Sequence, residues 1–293
     1  MKAFHVEPAT IMKKEKAKHK IKDHFLSQEI FSLELDKNTE ILKTTPKPAP
    51  DNLFAYYDSN EYLSHQKNGA TFFMKSYFLS KKIMLLFKKR IISKLFYKPG
   101  KALDVGSGTG DFLFALKKKG WEVAGVEPAK QAREKARALG IYHFQSIKKC
   151  SPQEFDLITF WHSLEHVYSL SETIKDTAAA LKKGGRLIVA CPNYKSWDAE
   201  YYKKNWAAWD VPRHLRHFSP KSLKIILEPM GLEQANVKPM FLDALYISIL
   251  SEKIKKSKVP FFKGIFFGII SNLSGLFHGN FSSQIYIFKK KIN

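Results

Sequence analysis

The stretch KALDVGSGTGDFLFALKKKGWEVAGVEP, residues 101–128, leaves few folds open to this chain. Ala102 to Val105 is a short apolar run of the kind a buried parallel strand needs. Gly106, Gly108 and Gly110 follow at alternate positions. Without Cβ atoms the chain turns tightly there, and a ligand can approach the main chain. Phe112, Leu113 and Leu116 then recur at helical spacing, with Asp111 near the positive end of the dipole and Gly120 as the stop. Glu122 to Val126 reads as a second strand, with Glu127 at its carboxyl end. In doubly wound α/β sheets, an acid in that place hydrogen-bonds a ribose hydroxyl pair. Glu127 lies 127 − 110 = 17 residues after the last glycine, near the roughly 20 expected. A nicotinamide fingerprint would need glycine at 111, where the chain has Asp111. The pattern present is G-x-G-x-G, with Asp104 two residues ahead. A carboxylate there suits an ammonium or sulfonium cation better than a pyrophosphate.

This unit resembles the cofactor motif of the class I S-adenosylmethionine-dependent methyltransferases. FDLITFWHSLEHV (155–167), LKKGGRLIVACPN (181–193) and DVPRHLRHFSP (210–220) are similar to later landmarks of that family's small-molecule branch, which includes quinone-biosynthesis and sugar methyltransferases. The resemblance covers residues 51–293. It implies a Rossmann-like seven-stranded sheet, mostly parallel, with an antiparallel last strand and helices on both faces. It also implies S-adenosylmethionine as cofactor. Asp104 would lie on its methionyl ammonium side, and Gly106, Ser107, Gly108 and Gly110 along its backbone. Glu127 would take the ribose, Ser146 and Ile147 the adenine, with Trp161 at the end of the fourth strand. The implied acceptor is a small molecule methylated at oxygen, a sugar or glycan precursor or an isoprenoid quinone.

Two rivals stay open: an RNA methyltransferase, and an idle scaffold that keeps the fold. Enzymes that methylate amino groups of nucleic-acid bases carry N/D-P-P-Y/F after strand four, where this chain reads Trp161-His162-Ser163-Leu164. The Pro-Cys of pyrimidine C5 enzymes is absent too; Cys191-Pro192 is reversed and follows strand five. The formal charge of +22 attracts polyanions. It is mostly lysine spread along the chain, so an ordinary lysine-biased surface is favoured over a nucleic-acid face. Two distant cysteines among 293 residues imply no disulfide framework and a reducing compartment. The start MKAFHVEPAT has no apolar signal core, so a cytoplasmic protein is expected.

Residues 1–50 form a variable segment. Relatives often begin with a zinc ribbon; here this would be a remnant without cysteines, and no metal is expected. TTPKPAP (44–50) reads as a linker. Residues 51–97 form a helical lid in which Tyr57 and Tyr62 match the family's YY-x-S-x-x-Y. That likeness turns them towards cofactor or acceptor, and aromatic packing between lid and core is the alternative. After Glu127 the spacing gives a helix over 130–139 and strands over 142–147, 155–161 and 186–191. Helices are expected over 170–182 and 219–229, then strands over 233–240 and 284–288.

His162 and His166, four apart past strand four, are candidate bases, since imidazole titrates near neutral pH. His214 joins them from an insertion, 194–218, expected over the acceptor pocket. Within it Trp197 and His217 would line the acceptor, and Arg213 would clamp a phosphate or carboxylate. The other reading is a Trp-rich core corner with a buried Asp–Arg pair. A second insertion, 241–283, carries an apolar helical face beside the basic run 253–258. Residues 253–277 either touch an anionic membrane at its inner face or, as favoured here, pack on the domain and roof the acceptor site.

Overall fold

The computed structural model describes residues 19–57 and 71–292. The glycine unit folds as its pattern requires. β4 (Lys101–Val105) and β5 (Glu122–Val126) lie parallel, with Leu103 opposite Ala124. They belong to a seven-stranded sheet completed by β6 (Tyr142–Phe144), β7 (Phe155–Trp161), β8 (Leu181–Pro192), β10 (Leu232–Pro239) and β11 (Ser283–Lys290). The order is β10-β11-β8-β7-β4-β5-β6. β11 runs antiparallel to both β8 and β10, and the remaining pairs are parallel.

The apolar strands are covered on both faces. Successive residues alternate, so Leu187 and Val189 of β8 join one core cluster while Ile188 and Ala190 join the other. On the first face lie α4 (Leu170–Ala180) and α6 (Pro220–Leu227), through Ile174 and Leu223. On the second lie α1 (Thr71–Leu95) and α2 (Asp111–Lys117), through Ile92 and Phe112. α3 (Lys130–Ala138) buries Ala136 against Leu113. α6 starts at a capping box: Ser219 accepts from Ser222 N, and Ser222 Oγ accepts from Ser219 N.

Some boundaries differ from expectation. β8 begins at Leu181, where a helix was expected to continue, because Leu181 pairs with Phe155. β6 stops at Phe144, and Ile147 sits in a 3-10 turn.

A second sheet, of order β1-β2-β3-β9, is antiparallel throughout. β1 (His19–Lys22), β2 (Ile30–Asp36) and β3 (Ile41–Thr45) come from the N-terminal segment, and β9 (Arg216–His217) from the first insertion. Ile21, Phe31 and Leu33 pack on Trp206 and Trp209 from α5 (Trp197–Tyr202) and the turns after it. Thr44 and Thr45 therefore belong to a strand rather than to a linker.

Between β10 and β11 the chain makes a helical hairpin, α7 (Phe241–Ile254) and α8 (Pro260–His278). Gly264, Gly268, Ser271 and Gly275 are the buried positions of α8. A Cβ on Gly264 would lie 2.4 Å from Ile249 Cα, and one on Gly268 would lie 2.7 Å from Leu245 Cα. The apolar face expected to pack on the domain instead meets solvent, because backbone contact this close requires glycine at the seam.

Candidate functional site

At the carboxyl ends of the parallel strands, the turn after β4 is made of main chain. Gly106, Gly108 and Gly110 all have positive φ, at 76°, 53° and 81°. Gly106 N donates to Val126 O at 2.7 Å, which fastens the turn to β5. Glu127, nearly buried, reaches back to the same turn. Its Oε2 accepts from Gly108 N at 2.8 Å and its Oε1 from Ala129 N at 2.9 Å. Among the described residues, a Cβ on Gly108 would meet nothing within 4 Å, so bare backbone stands beside a carboxylate. That arrangement fits a nucleoside whose sugar hydroxyls need an acceptor. Ser107 Oγ lies 3.0 Å from His143 Nε2.

Asp104, in β4, is buried and accepts from Thr159 Oγ1 at 2.6 Å. Burial pushes its pKa up to about 7, against the opposing pull of Thr159 and Lys88. A ligand cation beside it would favour its ionised form. Trp161 closes β7 and meets Phe112 edge-on at 5.6 Å between centroids. Its indole Nε1 is buried with no partner among the described residues, a polar atom of the kind a bound molecule satisfies. Ser146 is exposed and Ile147 buried, just past β6. A larger cleft of about 670 Å³ lies beside Lys101 and Glu122, at the opposite ends of β4 and β5, whereas sheets of this kind bind ligands at the carboxyl ends.

The histidine segment after β7 touches the glycine turn. Ser163 Oγ donates to Val105 O, and a Cβ on Gly106 would lie 2.5 Å from Ser163 Cβ. His162 has φ 52° and pairs through Nε2 with Asp243 Oδ2 at 3.0 Å. Burial disfavours its charge, but Asp243 and Glu165 outweigh that and raise its pKa to about 10. His162 is therefore a cation at neutral pH, a correction to the base anticipated from its residue type.

His166 is arranged differently. Its Nδ1 lies 3.0 Å from Arg213 O and 3.0 Å from Tyr57 OH. A carbonyl only accepts, so Nδ1 carries the proton and Nε2 keeps its lone pair. Burial and the neighbouring His214 push its pKa down to about 4. His214 donates from Nδ1 to Ala208 O at 2.8 Å, and its ring meets His166 edge-on at 4.7 Å. Among them sits Glu165, buried, with neither carboxylate oxygen hydrogen-bonded among the described residues. Burial works against its charge; His162 and His214 prevail and hold the pKa to about 2. One donor atom each from Glu165, His166 and His214 lie within 4.8 Å of one another, close enough to hold one small cation. A cavity of about 10 Å³, room for one water, adjoins Glu165, His214 and His217.

The remaining candidates lie elsewhere. Arg213 commits four of its five N–H donors: Nη2 to Asp23 at 2.9 Å and Asp210 at 2.7 Å, Nε to Asp210 at 2.8 Å, Nη1 to Tyr56 O at 3.1 Å. It joins the N-terminal sheet to the insertion and, fully buried between two carboxylates, is not presented to an acceptor. His217 is buried in β9 with Nε2 3.1 Å from Thr44 Oγ1. Trp197 stacks on Tyr201 at 5.0 Å, under α8. Tyr62 lies outside the described residues. Sequence reasoning missed Asp243 and the part played by Glu165. Asp243 gives one signal, an acid in the first turn of the second insertion, but nothing local says that it returns to β7.

The chain matches the methyltransferase-domain family over residues 73–237. A ubiquinone biosynthesis O-methyltransferase of Idiomarina loihiensis is 30% identical over 169 residues, 52% of this chain and 70% of that protein. The enzyme of the same name from a Bradyrhizobium strain is 28% identical, over 44% of this chain and 60% of its own length. The chain thus spans between three fifths and seven tenths of these relatives. Among solved structures, a SAM-dependent methyltransferase of Thermotoga maritima superposes with a TM-score of 0.51 at 23% identity, covering 74% of this chain and 95% of that one. One from Archaeoglobus fulgidus gives 0.50 at 21%, covering 73% and 99%. These two share the fold. With the bare turn, its acid and a match over more than half the sequence, the chain belongs to the methyltransferase-domain family and is an S-adenosylmethionine-dependent methyltransferase.

Proposed function

We propose that the protein methylates a ring hydroxyl of a small, quinone-type aromatic acceptor, with His166 as the base. The observation that carries this reading is the contact between the glycine turn and the histidine segment through Ser163, which sets the cofactor cradle beside an imidazole with a free lone pair. When bound, S-adenosylmethionine supplies a methyl group on a sulfonium, already a good leaving group. The chain's own part is to align the acceptor, worth about 7–11 kcal/mol, and to take its proton, worth ~10²–10⁴-fold. Glu127 holds the ribose, Asp104 the ammonium side, and Gly106 to Gly110 the main-chain side of the cofactor. Ser146 and Ile147 flank the adenine, and Trp161 gives its indole N–H. Tyr57 and Arg213 O fix the His166 tautomer. His162, held between Asp243 and Glu165, fixes the wall of the site beside that imidazole.

Two observations favour a phenolic oxygen over a sugar hydroxyl. With its pKa held down, His166 is a weak base, better matched to a phenol, at about 10, than to the far less acidic alcohol of a sugar. The curated relatives are named for ubiquinone biosynthesis. His166→Gln should lower methyl transfer from labelled cofactor to a catechol-ring acceptor by ~10²–10⁴-fold while leaving cofactor affinity unchanged. Wild-type turnover in this variant would remove His166 from the chemistry.

A further inference from the structure

The hairpin of α7 and α8 has large residues outside and small ones inside. On α8, Phe262, Phe266, Ile269, Leu273, Leu276 and Phe277 are all exposed, from 48% at Ile269 to 85% at Phe277. At about 100° per residue they fall within one arc roughly 100° wide. The opposite arc, Gly264, Gly268, Ser271 and Gly275, is the seam on α7 and Phe281. A water-facing helix would do the reverse, and a contiguous apolar patch of this kind marks an interaction surface.

Charge selects the partner. The loop before α8 holds Lys255, Lys256 and Lys258, and Lys263 stands in its first turn, all exposed. α8 has no acidic residue. Two copies facing each other would bring these lysines together within chains that each carry +22. An anionic lipid surface instead accepts both the lysines and the apolar row. In length and composition α8 would suffice to cross a bilayer, and its apolar window is only 22% buried, so it is no core helix. Its glycine seam holds it along α7, and β11 begins at Ser283, directly after its end. It therefore lies flat.

We propose that α8 rests in the interfacial plane of an anionic phospholipid bilayer, its exposed row among the acyl chains and the Lys255–Lys263 cluster on the headgroup phosphates. Docking sets the histidine cluster one helix from the lipid, since α7 carries the Asp243 that pairs with His162. The surface stands on its own whatever the acceptor is.

The test is co-sedimentation of the full chain with vesicles of phosphatidylcholine alone or with added phosphatidylglycerol. The wild type should bind the anionic vesicles, and binding should weaken at roughly 1 M salt, where screening reaches about 3 Å. Phe266→Asp/Leu273→Asp should lower that binding at least tenfold, with circular dichroism and cofactor affinity unchanged. Lys258→Glu/Lys263→Glu should erase the preference for anionic lipid. Wild-type protein left in the supernatant, or a Phe266→Asp/Leu273→Asp variant that binds as the wild type does, would overturn the proposal. So would a wild-type dimer that this variant dissolves while vesicles capture neither, which would give the face to a second copy.

Discussion

At Glu165 a buried carboxylate stays ionised with no hydrogen bond to either oxygen among the described residues. Its charge is balanced by imidazoles alone, so each histidine around it takes a distinct state. His162, also paired with Asp243, is the cation; His166, beside a carbonyl that accepts its Nδ1 proton, is neutral. The folded pKa of His162 lies above its usual value near 6.5. The stability that this pair contributes is complete below about 6.5 and is lost as pH rises through about 10. By NMR, His162 should titrate near pH 10 in the wild type and markedly lower in Asp243→Asn. A wild-type midpoint near 6.5 would contradict the ion pair. None of these states was legible in the residue types. Asp243 arrives from another insertion, and Arg213, whose backbone orients His166, finds its own partner Asp23 190 residues away.

Elements whose cause is local were legible. The run from β4 through Glu127 carries its strand, turn, helix stop and acid within 27 residues, and the structure has each in its place. Elements whose cause is distant were not. β8 starts early because Phe155 offers a partner to Leu181, and β3 extends through Thr45 because Ser32 pairs with it. The apolar row of α8 was visible, but its direction was not, because small residues at a seam look like helix weakeners until a second helix is packed on them. Gly264→Ala tests that seam. Alanine raises helix propensity by about 1 kcal/mol, yet its Cβ would sit 2.4 Å from a backbone atom of α7. A net loss of about 1–3 kcal/mol is expected, read as a lower melting temperature. A rise would mean that α8 does not approach α7 this closely.

Across the whole molecule, the second sheet and the insertions gather at the carboxyl ends of β7 and β8. Arg213 ties the N-terminal strands to the first insertion, and Asp243 ties the second insertion to the end of β7. Strand order puts the glycine turn, Glu127 and the histidine segment together at the carboxyl ends, and the solved methyltransferases share that fold. The central claim is that a carboxylate beside a side-chain-free turn holds the cofactor's sugar. Isothermal calorimetry of S-adenosylmethionine with Glu127→Ala tests it most directly. Loss of a hydrogen bond to a charged acceptor costs roughly 1.5–3 kcal/mol, so affinity should fall about 10–150-fold. Affinity equal to that of the wild type would contradict the account.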